Sequence, residues 1–141
     1  MSAQSDILHA SAVALGQRGL LILGPSGSGK SELALMLMAM GCTLISDDRT
    51  LVRRDGDRLV AEAPATISDR IEMRGIGILY AASSGAVPLA LAVDLATPET
   101  SRLPEPHSLT LLDLPLALLH KVESGAFPAA ILQYLKAGRA A

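Results

Sequence analysis

The sequence predicts an α/β fold with a mixed central sheet and flanking helices, in a single domain spanning residues 1–141. A short unbroken apolar run at 19–23 is typical of a buried parallel strand. A glycine-rich loop and a helical pattern follow it directly. Turn residues elsewhere separate strand-like runs and predict hairpins, which add antiparallel strands. The length suits one domain, and a hydrophobic content of 50% is enough for an aliphatic core.

The glycine-rich loop has the spacing of a phosphate-binding P-loop: Gly, four free residues, then Gly-Lys-Ser. Glycines let backbone N–H groups approach a phosphate without a Cβ atom in the way. The lysine supplies a charge for the β- and γ-phosphates, and the last serine supplies a hydroxyl for Mg²⁺. The predicted nucleotide- or phosphate-binding residues are Gly24, Pro25, Ser26, Gly27, Ser28, Gly29, Lys30 and Ser31.

The helix predicted after the loop completes the P-loop context. Its apolar face is predicted to consist of Leu33, Met36, Leu37 and Met40, at helical spacing, and Gly41 is predicted to cap its end. The amino end of such a helix directs N–H groups and a positive dipole at the bound anion. Strand, loop and helix together predict a nucleotide site rather than a chance glycine-rich turn.

A β-hairpin is predicted before the loop. Residues 7–15 alternate loosely as a strand, and residues 16–19 form the turn into the P-loop strand. Residues 1–6 are predicted to be flexible. His9 lies on this hairpin, and sequence alone favours a structural or surface role for a lone histidine.

Two adjacent carboxylates, Asp47 and Asp48, close the next apolar strand, residues 42–46. An acid at the carboxyl end of a strand beside the P-loop strand is well placed to hold Mg²⁺. The second acid can take a proton from an attacking hydroxyl. The alternative is a solvated turn, which Asp also favours.

The remaining elements are predicted in order along the chain. Residues 50–54 and 58–62 form a hairpin that extends away from the main sheet. Glu72 and Arg74 share one face of a strand, either beside a ligand or as an ion pair. Two further strands follow at 89–94 and 108–113, and two helices, about 115–124 and 128–137, form the C-terminal region.

Composition narrows the classes of partner and location. The net charge is −2 and no basic block is present, which argues against nucleic-acid binding. The single cysteine, Cys42, allows no internal disulfide and is predicted to be a small core residue. No apolar run approaches the ~20 residues needed to span a bilayer. We therefore expect a cytoplasmic protein with no membrane partner.

Several motifs together resemble the catalytic domain of HPr kinase/phosphorylase, over about residues 9–102. The resemblance depends on a His-containing strand, the P-loop, an apolar strand ending in Asp-Asp, and a Glu-x-Arg-Gly-x-Gly-Ile signature. These motifs read HASAV at 9–13, GPSGSGKS at 24–31, ISDD at 45–48 and EMRGIGI at 72–78. The chain looks like a minimal form that consists of the C-terminal catalytic domain.

The resemblance implies a fold similar to phosphoenolpyruvate carboxykinase and a protein-serine kinase. Such an enzyme phosphorylates an HPr-like phosphocarrier protein, using ATP or pyrophosphate with Mg²⁺. It can also act as a phosphorylase that removes the phosphate with inorganic phosphate. A homo-oligomer is implied as well.

The resemblance also implies roles for individual residues. Lys30 and the loop hold the donor phosphates, while Ser31, Glu72 and Asp48 contact the metal. The Asp pair includes the base that activates the serine hydroxyl, and Asp47 is favoured for that role. His9 and Arg74 lie near the reacting phosphate. Arg102, in the segment SRLP at 101–104, is a further phosphate contact.

Two other functions fit the P-loop. One is a non-catalytic regulator that senses nucleotide or phosphate. The other is a small-molecule kinase, which needs an Arg-rich lid that this sequence does not show. Turnover with a protein substrate separates the protein kinase from the regulator, whereas ATP binding alone does not.

Overall fold

The computed structural model describes residues 4–141 and contains strands β1–β11 with helices α1 and α2. A short 3₁₀ helix spans Ala65–Ile67. The bounds in chain order are β1 Ser5–Leu8, β2 Ala10–Leu15, β3 Arg18–Leu23, α1 Lys30–Ala39, β4 Thr43–Ser46, β5 Thr50–Asp55, β6 Arg58–Glu62, β7 Arg70–Met73, β8 Gly77–Tyr80, β9 Val87–Pro98, β10 His107–Leu111, β11 Leu114–Lys121 and α2 Phe127–Ala137.

Nine of the strands form one mixed sheet, which confirms the predicted fold class. The main path runs β1-β5-β6-β9-β3-β2-β4. The P-loop strand β3 pairs in parallel with β9 and antiparallel with β2. Strand β11 lies parallel to β9, and β10 pairs antiparallel with β11. Strands β7 and β8 form a separate two-stranded sheet.

The sheet separates two apolar cores because its central strands alternate side chains between the two faces. Leu20 and Ile22 of β3 belong to the core beneath α1 and α2. Leu21 belongs to the opposite core, which strands β5, β6, β10 and β11 cover. Cys42 is buried in the first core, as predicted, and burial raises the pKa of its thiol.

The predicted apolar face of α1 is only partly right. Leu33 and Leu37 are buried, but Met36 and Met40 are 44% and 39% exposed, and Ala34 is buried instead. Residues 33–40 are all apolar, so periodicity could not identify the buried side. Gly41, with φ of 112°, follows the end of the helix as predicted.

The strand predicted at 7–15 is in fact two strands that separate at His9. Strand β1 pairs with β5, whereas β2 pairs with β3 and β4, so the chain changes partners at this residue. The flexible start predicted for 1–6 is wrong for Ser5 and Asp6, which lie in β1. Residues 1–3 lie outside the described residues.

The β5–β6 hairpin is confirmed, but its predicted position away from the main sheet is wrong. Strand β6 pairs with β9 through Val60 and Ala61. Val52 and Leu59 are buried in the second core. These apolar side chains stabilise the hairpin as part of the sheet rather than as a separate extension.

The first predicted C-terminal helix, 115–124, is wrong, because β11 occupies Leu114–Lys121. Leu112 and Asp113, with φ of 48° and 64°, form the two-residue turn that joins β10 to β11. Positive φ at both positions is typical of hairpin turns, but Leu-Asp lacks the glycine that usually indicates one. The second helix, α2, is confirmed, and Pro128 lies in its first turn. Among residues 4–141, no helix has the length and apolar character needed to cross a membrane.

Candidate phosphate-binding and phosphoryl-transfer site

The predicted site residues come together at one end of the central strands because of the directions in which these strands run. Strands β3 and β4 both pair antiparallel with β2, so their carboxyl ends lie at the same edge as the amino end of β2. The P-loop follows β3, the two aspartates follow β4, and His9 precedes β2. The Asp pair therefore lies two strands from β3, not on the adjacent strand as predicted.

The loop has the backbone geometry of a phosphate cradle. Gly24, Gly27 and Gly29 have φ of 153°, 82° and 98°, a region that L residues rarely adopt. A Cβ at Gly24 would lie 2.4 Å from Ser28 Oγ, whereas open space adjoins Gly27 and Gly29. The buried Ser28 Oγ has no hydrogen-bond partner among the described residues. These features fit a loop that binds an anion through its backbone.

Lys30, the first residue of α1, is held within the loop. Its Nζ donates to Gly24 O at 2.8 Å and to Pro25 O at 3.1 Å, and the residue is only 6% exposed. An ammonium group with three donors keeps one free for an incoming phosphate oxygen. The position therefore suits a fixed positive charge at the base of the cradle.

Asp47 is buried and connects three elements. Its Oδ1 accepts hydrogen bonds from Ser31 Oγ at 2.5 Å and from Ser11 Oγ at 2.9 Å. Its Oδ2 accepts from Glu72 N at 2.9 Å. A P-loop serine beside an acid is the usual arrangement for Mg²⁺ in P-loop enzymes. The oxygen donors of Ser31, Asp47 and the nearby Glu72 fit a hard divalent cation.

Asp48 differs from its neighbour in exposure and in partner. Its side chain is 62% exposed, and its Oδ1 lies 2.7 Å from His9 Nε2. Its backbone N donates to Ser11 Oγ at 3.1 Å, so Ser11 contacts both aspartates. With φ of 66°, Asp48 is in the left-handed region, where such strain is often associated with a functional site.

Most of the predicted site residues line one cavity of about 830 Å³. Asp47 lies beneath it, bonded to Ser31. Arg102 is not among the lining residues, so the structure does not bring this predicted phosphate contact to the cavity. The predicted residues that line the cavity are His9, Ser26, Gly27, Gly29, Lys30, Ser31, Asp48, Glu72 and Arg74.

Glu72 and Arg74 reach the cavity differently from the prediction. Glu72 lies in β7, but Arg74 lies beyond the end of that strand, in the turn before β8. The prediction that the two residues share one face of a strand is therefore wrong, although both line the cavity. Among the ion pairs of residues 4–141, none joins Glu72 to Arg74. Both side chains are exposed and available to a ligand.

Sequence reasoning missed two contributors. Ser11 bridges Asp47 and Asp48, and its only signal was its place two residues after His9. Arg49 also lines the cavity, directly after the Asp pair. With Lys30 and Arg74, it gives the cavity three cationic side chains, and the lining also contains the carboxylates of Glu32, Asp48 and Glu72. This balance suits a polyphosphate with a divalent cation.

Fold and loop together define a P-loop α/β protein with a candidate phosphate-binding site at one end of the strands. The family model of the HPr Serine kinase C-terminal domain matches residues 1–86. The chain belongs to this family.

Named relatives agree with this membership. The chain is 46% identical over 78 residues to the HPr kinase/phosphorylase of Lactiplantibacillus plantarum, covering 55% of this chain and 25% of the relative. It is 41% identical over 97 residues to that of Levilactobacillus brevis, covering 66% and 31%. The chain thus spans only a quarter to a third of the length of these relatives.

A solved structure shows the same fold over most of the chain. The HPr(Ser) kinase/phosphatase from Coxiella burnetii matches with a TM-score of 0.79 at 24% identity. The match covers 93% of this chain and 94% of that chain. The likeness therefore extends beyond residue 86, where the family model ends.

The Asp47 network leads to a prediction about stability. Asp47→Ala would leave two hydroxyls and one backbone N–H without their acceptor in a buried place. We expect the free energy of unfolding to fall by about 2–4 kcal/mol. Urea unfolding followed by circular dichroism measures it. Asp57→Ala, at an exposed turn, is the matched control, and an equal loss in both variants would contradict a structural role for the network.

Proposed function

We propose that this chain is an enzyme, a protein-serine kinase that transfers a phosphoryl group from ATP or pyrophosphate to a serine of an HPr-like phosphocarrier. In the reverse direction it acts as a phosphorylase with inorganic phosphate. Family membership supports the proposal. The observation that carries it is that the His9–Asp48 pair opens into the same cavity as Lys30 and Ser31.

The donor phosphates bind in the P-loop. Backbone N–H groups of the loop and Lys30 hold them, and the amino end of α1 adds its dipole. Ser31 and Glu72, which line the cavity, would hold Mg²⁺, and the hydrogen bond to Asp47 would orient Ser31; the ion neutralises phosphate charge when it is bound. Asp48, predicted as a further metal contact, is given the role of base instead. Arg49 and Arg74, on the cavity wall, are placed to stabilise charge on the transferred group.

We assign Asp48 as the base, which reverses the sequence-based preference for Asp47. Both oxygens of Asp47 already accept hydrogen bonds from three donors in a buried position. Asp48 is exposed to the cavity, and His9 orients its carboxylate. A base must reach the hydroxyl of a second protein, and only Asp48 of the two is accessible enough to do so.

In the forward step, the serine Oγ attacks the transferable phosphorus as its proton moves to Asp48. The bond between that phosphorus and the donor oxygen breaks, and the donor leaves with the electron pair. In the reverse step, an oxygen of inorganic phosphate attacks the phosphorus of the phosphoserine, and the bond between that phosphorus and the serine Oγ breaks. Pyrophosphate is released, and protonated Asp48 returns the proton to the serine Oγ. Catalysis comes from positioning and charge stabilisation rather than from a covalent intermediate.

A transfer assay tests the function. The full chain is incubated with Mg²⁺, labelled ATP and a purified HPr-like phosphocarrier, and phosphoserine is located by mass spectrometry. The expected result is label on one serine of the phosphocarrier, lost when that serine is replaced by alanine. Binding of ATP without turnover would reject the kinase and favour the non-catalytic regulator.

A further inference from the structure

A second cluster of polar side chains lies away from the cavity, where β9, β10 and β11 meet. Glu99 directly follows β9, His107 begins β10, and His120 is near the end of β11. His107 pairs with Leu118 in the β10–β11 register, so His120, two residues further on, projects from the same face. The cluster lies outside residues 1–86, the part that the family model matches.

The three side chains are close enough to share one ion. Glu99 Oε1 lies 2.8 Å from His107 Nε2 and 3.9 Å from His120 Nδ1. One donor atom of each residue lies within 4.8 Å of the others. The two imidazoles stack with centroids 4.0 Å apart at an angle of 17°. The side chains are 12%, 30% and 21% exposed for Glu99, His107 and His120, so the cluster is shielded but reachable from solvent.

The backbone orients Glu99 toward the two rings. Its Oε2 accepts hydrogen bonds from the N–H groups of Thr100 at 2.9 Å and Ser101 at 3.0 Å. These bonds fix the carboxylate, and Oε1 faces the histidines. The pKa of Glu99 is lowered. The main cause is the hydrogen bond from the backbone N–H of Ser101, and the second is the hydrogen bond with the His107 side chain. Such outer hydrogen bonds to a ligating carboxylate are typical of metal sites.

We propose that Glu99, His107 and His120 bind one Zn²⁺ ion. Two imidazoles and one carboxylate form a donor set suited to zinc, which commonly binds three protein ligands with a fourth position for water. Magnesium and calcium prefer oxygen donors, so the two nitrogens discriminate against them. Imidazole lone pairs lie in the ring plane, so binding requires the stacked rings to rotate about χ2, a torsion with broad preferences.

The bound ion would tie the end of β9 to the β10–β11 hairpin. Strand β11 is the link between that hairpin and the central sheet, through its parallel pairing with β9. The pairing of β9 with β11 is irregular between His120 and Lys121, at the position of the cluster. A ligand that binds only the folded chain stabilises it, so the site would strengthen this edge.

Calorimetric titration tests the proposal. The full chain, freed of metal by a chelator, is titrated with ZnCl₂ in excess Mg²⁺, and one Zn²⁺ per chain is expected. His107→Gln and His120→Gln each remove a ligand and should weaken Zn²⁺ binding strongly. The expected loss exceeds the ~10–100-fold that is typical when only an outer-shell hydrogen-bond partner is removed. His9→Gln, which alters the third histidine, should leave affinity unchanged. Absence of binding, or equal weakening by His9→Gln, would overturn the site.

A second measurement needs no variant and so does not depend on whether the variants fold. In the unsubstituted chain, imidazole nitrogen signals are followed by NMR as ZnCl₂ is added. The signals of His107 and His120 should shift and saturate together at one equivalent, while that of His9 stays in place. Unchanged signals for His107 and His120 at saturating Zn²⁺ would refute the proposal.

Discussion

Asp48→Asn is expected to lower the rate of phosphoryl transfer to the protein serine by about 10²–10⁴-fold, the usual contribution of a general base. Asparagine keeps the size of the side chain and a carbonyl oxygen for His9, but it cannot accept the serine proton. Because the side chain is 62% exposed, folding should change little. Steady-state rates at saturating donor and phosphocarrier measure the effect.

Three variants make the assignment of the base specific. Asp57→Asn makes the same chemical change at an exposed turn and should retain the rate. His9→Gln should cause a smaller loss than Asp48→Asn, because the carboxylate remains but loses its 2.7 Å partner. The opposite result would restore Asp47 as the base. In that case Asp48→Asn would keep a nearly normal rate, and Asp47→Asn would lose activity without losing stability.

The P-loop region was predictable because its information is local. Residues 19–41 contain a strand, a glycine loop and a helix in direct succession, and each part limits the conformation of the next. The β5–β6 hairpin was likewise predictable from its Asp-Gly turn. Its place in the sheet was not, because pairing of β6 with β9 joins residues about 27 positions apart.

The sequence could not predict that Asp47 is buried while Asp48 is exposed. Adjacent residues in a turn have similar local signals, and burial is decided by distant partners. Asp47 is held by Ser11, 36 residues before it, and by the backbone of Glu72, 25 residues after it. The break at His9 has the same origin, since it depends on β1 pairing with β5 while β2 pairs with β3.

The C-terminal region shows where periodicity fails. Residues 114–119 are all apolar, so the hydrophobic pattern fits a buried strand and a helix equally well. Parallel pairing with β9 selects the strand. That pairing brings His120 to the end of β9, close to Glu99, and the β10–β11 pairing brings His107 beside it. No spacing in the sequence indicates this cluster. Tertiary contacts thus decided both the element and the candidate metal site.

Lys30→Ala is expected to reduce turnover by about 10²–10³-fold, the effect of removing one preorganised electrostatic contact to a developing charge. Lys30 is also expected to hold the donor before transfer, so the affinity for ATP should fall as well. Donor affinity is measured by titration with ATP and Mg²⁺, and turnover by the phosphoserine assay. Both should fall together, since one ammonium group contacts the phosphates in the ground state and in the transition state.

Stability must be measured beside activity for this variant. Nζ of Lys30 donates to the carbonyls of Gly24 and Pro25, and its loss leaves both without this donor. Lys136→Ala, in the last turn of α2, removes the same charge from an exposed position and should change neither affinity nor turnover. If Lys30→Ala is folded and binds ATP as tightly as the unsubstituted chain, the donor phosphates do not bind in this loop. The proposed transfer would then require a different donor site, because His9 and Asp48 share a cavity with Lys30.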